Sequence, residues 1–496
     1  MNSLKKVLIP LGLFTLFLLI FNILSIRIIF IDTPQYIGVA KEFAGLDLSK
    51  VRATSSFVYG FFLGQFLKIA PFLLTVKIVN MSFLILNAIL IYLITKRKES
   101  FLLWAFSPIV WYMAPFVSPI LPVSFLFLLA YHTLKKYEEN NKIINFVISS
   151  LSLGIACSLW SAAIYLTIFF LIAFFYDKKL LQFVLYLIPL IIGFSIRLLI
   201  DYTYLGFPFF SLITGLGSNL IHIFSKSSLT YEYYFQIPSF LSVSYLILLF
   251  LSLLIISVLI SYKIYKLIKL HKMKEFWREN KKELLFLIPT SILFLYPPNF
   301  QFRYLLIITP FIIIFLSKSI NKKELITHII ISLIVIGVLT FPYFTNQQDK
   351  LTEQDLNQIA KEYPNQSFIA GNSNYQYAFI FSTLYWNKGI KEFISFDDYN
   401  LSQQNESIFS RYELETKPKM NILKKIKLTF LYEKTDNRTY NDIKYLIIPK
   451  TEESIDIEVI EVNNLKILHP KIKIPPPPKE FKLVKEYNIL DLYKKE

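Results

Sequence analysis

Two ionisable residues stand where an apolar run meets polar sequence, and together they could do chemistry. Asp32, in Ile31-Asp32-Thr33-Pro34-Gln35-Tyr36, follows the first long apolar run of the chain. A carboxylate held at a membrane surface could take a proton from a hydroxyl whose lipid-bound reaction partner approaches only from the membrane plane. Arg303, in Gln301-Phe302-Arg303-Tyr304, stands at the start of another apolar run. A guanidinium there is costly unless it faces water or an anion, and its fork of donors fits two phosphate oxygens at once. Arg197 and Lys77, each near the end of an apolar run, could share the charge of such a phosphate. Tyr36, Asp201 and Tyr204 lie beside these positions in sequence and could orient a substrate. Each residue also has a plain structural reading. Asp32 would be a favourable anion at a helix N-terminus, worth about 0.3–1 kcal/mol; Arg303 could snorkel to lipid headgroups; Asp201 could cap a loop, and Tyr204, Gly206 and Pro208 could make a turn.

The elements that must hold these residues follow from composition. The chain has 496 residues, 54% hydrophobic and 18% charged, with a mean hydropathy of +0.49. That is too apolar for a soluble protein and predicts a polytopic α-helical membrane protein. Apolar runs at residues 7–30, 71–95, 101–117, 119–134, 143–160, 161–176, 180–200, 239–262, 284–298, 303–318 and 325–343 give about eleven crossings, several of them shorter than the roughly 20 residues a full span needs. After the first, Thr33 can cap and Pro34 can open a short helix over 34–44, with Tyr36, Ile37, Ala40, Phe43 and Ala44 on one stripe. Such a helix lies in the membrane interface and would present Asp32 at its start.

Loop charge sets the orientation. Lys5 and Lys6, Lys96 to Lys98, Lys135, Lys136 and Lys142, Lys178 and Lys179, the basic stretch 263–282, and Lys318, Lys322 and Lys323 all fall on one side of this path. The positive-inside rule makes that side cytoplasmic and the protein a multi-pass component of the cell membrane. Asp32, the 201–238 loop, the 296–303 turn and everything after Phe344 then lie outside. The formal charge of +17 is accounted for as topology, with no nucleic-acid partner. The first span lacks a small-residue cleavage site, which argues against a signal peptide. The single cysteine, Cys157, permits no internal disulfide, and five scattered histidines lack ligand spacing, so no metal site is expected.

Composition changes near Thr345. Residues 345–496 are polar, with short apolar runs at 367–370, 428–431, 444–448 and 465–468, a helical pattern at 355–363, a proline run at 475–478 and a strand-like piece at 481–493. We read a second domain here, an α/β fold of about 150 residues, after a transmembrane domain over 1–343. Its sequons at Asn365, Asn400, Asn405 and Asn437 agree with an extracytoplasmic placement.

Three motifs in order carry a resemblance. Asp32-Thr33-Pro34-Gln35-Tyr36 follows the first span, Asp201-Tyr202-Thr203-Tyr204-Leu205-Gly206-Phe207-Pro208 a middle one, and Gln301-Phe302-Arg303-Tyr304-Leu305-Leu306 leads into Pro310. Over residues 1–343 the chain resembles the GT-C superfamily of membrane glycosyltransferases, in particular its dolichyl-phosphate-mannose-dependent mannosyltransferases and aminoarabinose transferases. The resemblance implies an inverting transfer of one sugar from a polyprenyl-phosphate donor to a glycan, lipid or protein acceptor, within reach of membrane lipids. It assigns Asp32 as the base and Arg303 as the basic residue near the lipid phosphate. Many relatives carry a second acidic residue between their third and fourth spans. Here that stretch, Trp111-Tyr112-Met113-Ala114-Pro115-Phe116-Val117-Ser118-Pro119, has no carboxylate. A metal-free mechanism is therefore easier to write, with no cofactor required and a divalent cation left open. Nor does Tyr385-Trp386-Asn387-Lys388-Gly389 supply the acid of an oligosaccharyltransferase tail motif. Two other classes stay open: a polytopic lipid or polysaccharide transporter, against which the lack of internal repeats argues, and a non-catalytic membrane scaffold with an outer binding domain.

Overall fold

A computed structural model describes residues 2–25, 32–45, 56–70, 73–205, 207–209, 211–213, 231–232, 273–295, 304–317, 320–340, 347–370, 389–395, 399, 442–450, 458–462, 465–469 and 477–496. The chain divides into two compact units. The first comprises Met1–Ser25, Lys77–Leu199 and Phe235–Thr345; the second comprises Ile26–Val76, Ile200–Tyr234 and Asn346–Glu496. The helices are α1 (Asn2–Leu24), α2 (Asp32–Ala44), α3 (Phe57–Ile69), α4 (Leu73–Thr95), α5 (Lys98–Ala105), α6 (Pro108–Met113), α7 (Ile120–Asn140), α8 (Ile143–Leu159), α9 (Ala163–Phe175) and α10 (Leu180–Leu205). They continue as α11 (Met273–Leu295), α12 (Leu305–Ser317), α13 (Lys322–Thr340) and α14 (Gln347–Glu362). Among the described residues four helices are long and apolar enough to cross a membrane: Val7–Leu24, Leu74–Thr95, Leu180–Thr203 and Lys322–Thr340. The protein is a helical membrane protein.

Aromatic side chains fill the centre of the first unit. Phe127 and Tyr131 of α7, Phe170 and Phe174 of α9, Phe286 of α11 and Phe311 of α12 form a chain of ring contacts, with Phe127 and Phe286 stacked at 6.0 Å. Beside it α8 and α10 approach backbone to backbone. A Cβ on Gly154 would lie 2.1 Å from Leu190 O, and one on Gly193 2.7 Å from Leu151 O. Only glycine permits this crossing. Ser158 Oγ then donates to Gly193 O at 2.8 Å, and Ser149 Oγ meets Tyr186 OH at 2.6 Å, so buried hydroxyls find partners where lipid offers none.

Side-chain bonds sort the helix ends into two sets. At one end Arg97 Nη1 donates to Ser317 O at the close of α12, at 2.8 Å. At the α7 C-terminus Glu138 is bridged by Lys282 (2.8 Å) and Lys178 (3.0 Å), and Glu283 by Lys135 (3.2 Å) and Tyr131 OH (2.6 Å). Burial alone would raise the Glu138 carboxyl, but the hydrogen bonds and charges of Lys282 and Lys178 hold it below its usual range. At the opposite ends Lys77 meets the close of α1, Asn80 Nδ2 donates to Phe116 O (2.8 Å), and Ser124 Oγ donates to Leu306 O (2.9 Å).

In the second unit α2 and α3 pack as a hairpin, Tyr36 edge-on to Tyr59 at 5.2 Å. A five-stranded sheet has the order β3 (Glu392–Ser395), β2 (Ser367–Ala370), β4 (Tyr445–Pro449), β8 (Leu490–Lys495), β7 (Phe481–Glu486), with β2 parallel to β3 and β4 and β8 antiparallel to β4 and β7. Alternation along the strands builds two cores. Phe368, Ile447 and Leu492 cluster with Leu356, Ile359 and Ala360 of α14, while Ile369, Leu446 and Ile448 cluster with Tyr399, Ile443 and Phe481. A three-stranded sheet pairs β1 (Tyr231–Glu232) with β6 (Leu465–His469) and β6 with β5 (Glu458–Val462).

Several expectations change. The 101–117 run is not one span: it breaks into α5 and α6 at Phe106-Ser107, where Pro108 begins a new helix. The 481–493 piece is a hairpin, not one strand, and the helix expected at 355–363 begins at Gln347. α2 begins at Asp32, two residues before the expected start. Helix α3 and strands β3 and β5 were not anticipated. The runs at 239–262 and 428–431 lie outside the described residues.

Candidate active site

Asp32 is the first residue of α2, directly after the segment that leaves α1. The helix around it is held by close packing. A Cβ at Gly60 would sit 2.2 Å from Val39 Cγ1, and one at Gly64 2.7 Å from Ala40 O, so α3 lies against the α2 backbone with no room between. Tyr36 is buried in that seam, one helical turn from Asp32. The side chain of Asp32 itself lies outside the described positions, as do Arg303 and the side chain of Tyr204.

Lys77 opens the first unit's portion of α4 and is buried. Its ammonium donates to Ser25 O at 2.9 Å and Asn22 O at 3.2 Å, at the C-terminal end of α1. The charge thus sits where carbonyls and the helix dipole favour a cation. Arg197, fully buried near the end of α10, donates from Nη2 to Ser161 Oγ at 3.0 Å in the turn between α8 and α9. Next to Ser161, Trp160 leaves α8 in extended conformation and its ring meets Tyr304 at 5.5 Å, with 38° between the planes. Tyr304 directly follows Arg303 in the chain. Lys77, Arg197, Trp160 and Tyr304 therefore occupy the same set of helix ends in the first unit.

Asp201, in the second unit, is buried, and its carboxylate is engaged by Ser211: the backbone N–H reaches Oδ2 at 3.0 Å and the hydroxyl reaches Oδ2 at 2.6 Å. The helix runs on to Leu205, so Asp201 and Tyr204 stand in a last turn rather than in a loop, and the turn expected there begins beyond Leu205, at Pro208 and Phe209. No group of three His, Cys, Asp or Glu among the described residues could hold a metal ion. Reading the sequence alone missed Trp160, Ser161, Tyr59 and Ser211. Their partners lie between 10 and 144 residues away, and only the adjacent signals, a helix end at Trp160 and an Asp–Ser pair, hinted at them.

The helix arrangement has a counterpart among solved membrane proteins. Among solved structures it is similar to the crystal structure of ArnT from Cupriavidus metallidurans bound to undecaprenyl phosphate, with a TM-score of 0.56 at 10% sequence identity over 80% of this chain and 91% of that one. No protein-family model matches the chain, and no curated protein matches it in sequence.

Proposed function

We propose that the protein is an integral-membrane glycosyltransferase that moves one sugar from a polyprenyl-phosphate donor to an acceptor outside the membrane. The observation that carries this reading is the placement of Asp32 at the first residue of the short helix α2 in an ArnT-like fold. The ArnT neighbour is bound to undecaprenyl phosphate, which supports a lipid-phosphate donor here. The loop charges support an outer face holding Asp32 and residues 345–496, with the N-terminus in the cytoplasm.

In this mechanism Asp32 takes the proton of an acceptor hydroxyl, whose oxygen attacks the anomeric carbon from the face opposite the phosphate. The bond from that carbon to the phosphate oxygen breaks, configuration inverts, and the polyprenyl phosphate leaves with both electrons. Arg303 meets the departing charge, with Lys77 and Arg197 adding positive potential from their buried sites. Tyr36, Asp201 and Tyr204 shape the acceptor side. The acceptor is a glycan, lipid or protein; no cofactor is needed, and a divalent cation would be an addition to this scheme. The test is Asp32→Asn. It should bind donor normally and transfer sugar about 10² times more slowly or worse. Transfer at the parental rate would remove Asp32 from the reaction.

A further inference from the structure

Most large aromatic side chains of the first unit are core. Trp104, Phe127, Tyr131, Phe170, Tyr186 and Phe286 are all less than 2% exposed. Trp160 and Tyr304 are among the aromatic residues that stay half-buried, and here the two rings meet at 5.5 Å. They come from segments 144 residues apart, and each sits at the end of an apolar helix, where the core no longer needs them. Trp160 has left the helix: its backbone is extended, and its N–H closes the last turn onto Ala156 O at 3.1 Å. The pair therefore leaves part of its aromatic surface exposed where two helix ends meet.

The surroundings say what that face would take. Ser161, the next residue, holds the fully buried guanidinium of Arg197 at 3.0 Å, and Arg303 immediately precedes Tyr304. A buried guanidinium thus lies beside the Trp160 half of the pair, and an arginine adjoins the Tyr304 half in sequence. A lipid-phosphate sugar has the matching order: an anionic phosphate bonded directly to a pyranose or furanose whose C–H face is apolar and whose hydroxyls lie around the rim. Sites for such ligands combine an aromatic surface with a few placed polar groups. An isoprenoid tail would match the rings but not the adjoining buried polar turn.

We propose that the Trp160 indole, backed by Tyr304, is the platform on which the donor's sugar ring rests beside its phosphate. This rests on the glycosyltransferase reading and adds to it a residue that recognises the sugar rather than the lipid. The platform should therefore separate glycosylated from bare polyprenyl phosphate. The test uses full-length purified protein in nanodiscs, with undecaprenyl phosphate and its mannosyl, glucosyl and aminoarabinosyl forms as probes. The parental protein should bind at least one glycosylated form more tightly than the bare lipid phosphate. Trp160→Ala should remove about tenfold of that preference while leaving affinity for bare undecaprenyl phosphate unchanged. Trp160→Phe, which keeps a ring and the packing, should lose less, and Tyr304→Leu should follow the same pattern if Trp160→Ala fails to fold. An equal loss for bare and glycosylated lipid, or a preference kept in full, overturns the platform. A parental protein that binds undecaprenyl phosphate but prefers no glycosylated form also overturns it while sparing the donor reading. Binding of no probe above an uncharged control lipid sinks the donor reading itself.

Discussion

Alanine at Gly60 would bring a methyl carbon to 2.2 Å from Val39 Cγ1 and 2.5 Å from Val39 Cβ. Carbon atoms settle at about 3.5–4.0 Å, so roughly 1 Å or more must be recovered. Val39 cannot turn aside, because its Cβ is itself in the way. Nor can α2 slide along the seam freely, since Gly64 already lies against Ala40 and Phe43. The two helices must part, and α2 carries Asp32 as its first residue. A misplacement of about 1 Å at a reacting group can cost on the order of 10² in rate. Gly60→Ala should therefore insert and purify normally yet transfer sugar roughly 10- to 100-fold more slowly. Val39→Gly removes both offending carbons at about 1 kcal/mol of helix propensity. The Gly60→Ala, Val39→Gly double variant should then run within about threefold of the Val39→Gly protein, a positive coupling. The assay is the initial rate of transfer from a polyprenyl-phosphate sugar in nanodiscs. Parental rates in Gly60→Ala, or a double variant no faster than the Gly60→Ala single, would refute the idea that this seam sets the position of Asp32.

Three further outcomes are expected. Arg303→Lys keeps the charge but loses the planar fork, so transfer should fall about tenfold, near 1.4 kcal/mol, and further in Arg303→Ala; an unchanged lysine variant would make Arg303 an interfacial anchor and send the search for the phosphate partner to Arg197 or Lys77. Asn87 is fully buried in α4 with neither its Nδ2 nor its Oδ1 hydrogen-bonded among the described residues, so Asn87→Leu should raise the thermal midpoint in detergent, by a gain of about 1–3 kcal/mol, whereas a lowered midpoint would reveal a partner. Glu362 is held at about 2, below the ordinary 4.5, by hydrogen bonds from Lys485 and Tyr487, so its support of β7 is present above pH 4.5 and fades as pH falls toward 2. The hydrogen-exchange protection of residues 481–486, taken relative to the intrinsic exchange rate at each pH, should fall between about pH 4.5 and pH 2 in the parent more than in Glu362→Gln, and equal responses would exclude this carboxylate as the cause.

How much of this could be read from the sequence depended on range. Helix α2 was legible because its proline and apolar stripe act within one turn or two, although Thr33, expected to cap it, lies inside the helix. Strands β2, β4 and β6 were legible because each is a short apolar run bounded by polar residues. Helix α3 was not: its 13 residues are too few for a span, and its apolar character serves the seam with α2 instead. The β7–β8 turn was missed because its anchor is remote. Asp355 of α14 accepts from the backbone of Asn488, Ile489 and Leu490 and from the Asn488 amide, more than 130 residues on. The candidate site divides in the same way. Charge type and helix-end position pointed to Lys77 and Arg197, while the partners that fix them, Ser25 and Ser161, are matters of tertiary packing.

The break between α5 and α6 bears on how the chain enters the membrane during synthesis. Arg97 at one edge of the 98–118 segment meets the close of α12, while Phe116 at the other meets Asn80 early in α4, so the segment runs between the two sets of helix ends. Yet α5 and α6, at about 12 and 9 Å, could not partition into lipid as one continuous helix. The backbone groups freed at the break need partners, and some are early ones. Trp111 Nε1 closes onto Ala105 O within the segment at 2.7 Å, and Asn80, already synthesised, takes Phe116 O. Phe14 and Phe21 of α1 cover Trp111 edge-on. α1 and α4, which precede the break in the chain, thus supply part of the packing and hydrogen bonding for a stretch whose two short helices are each too short to span a bilayer.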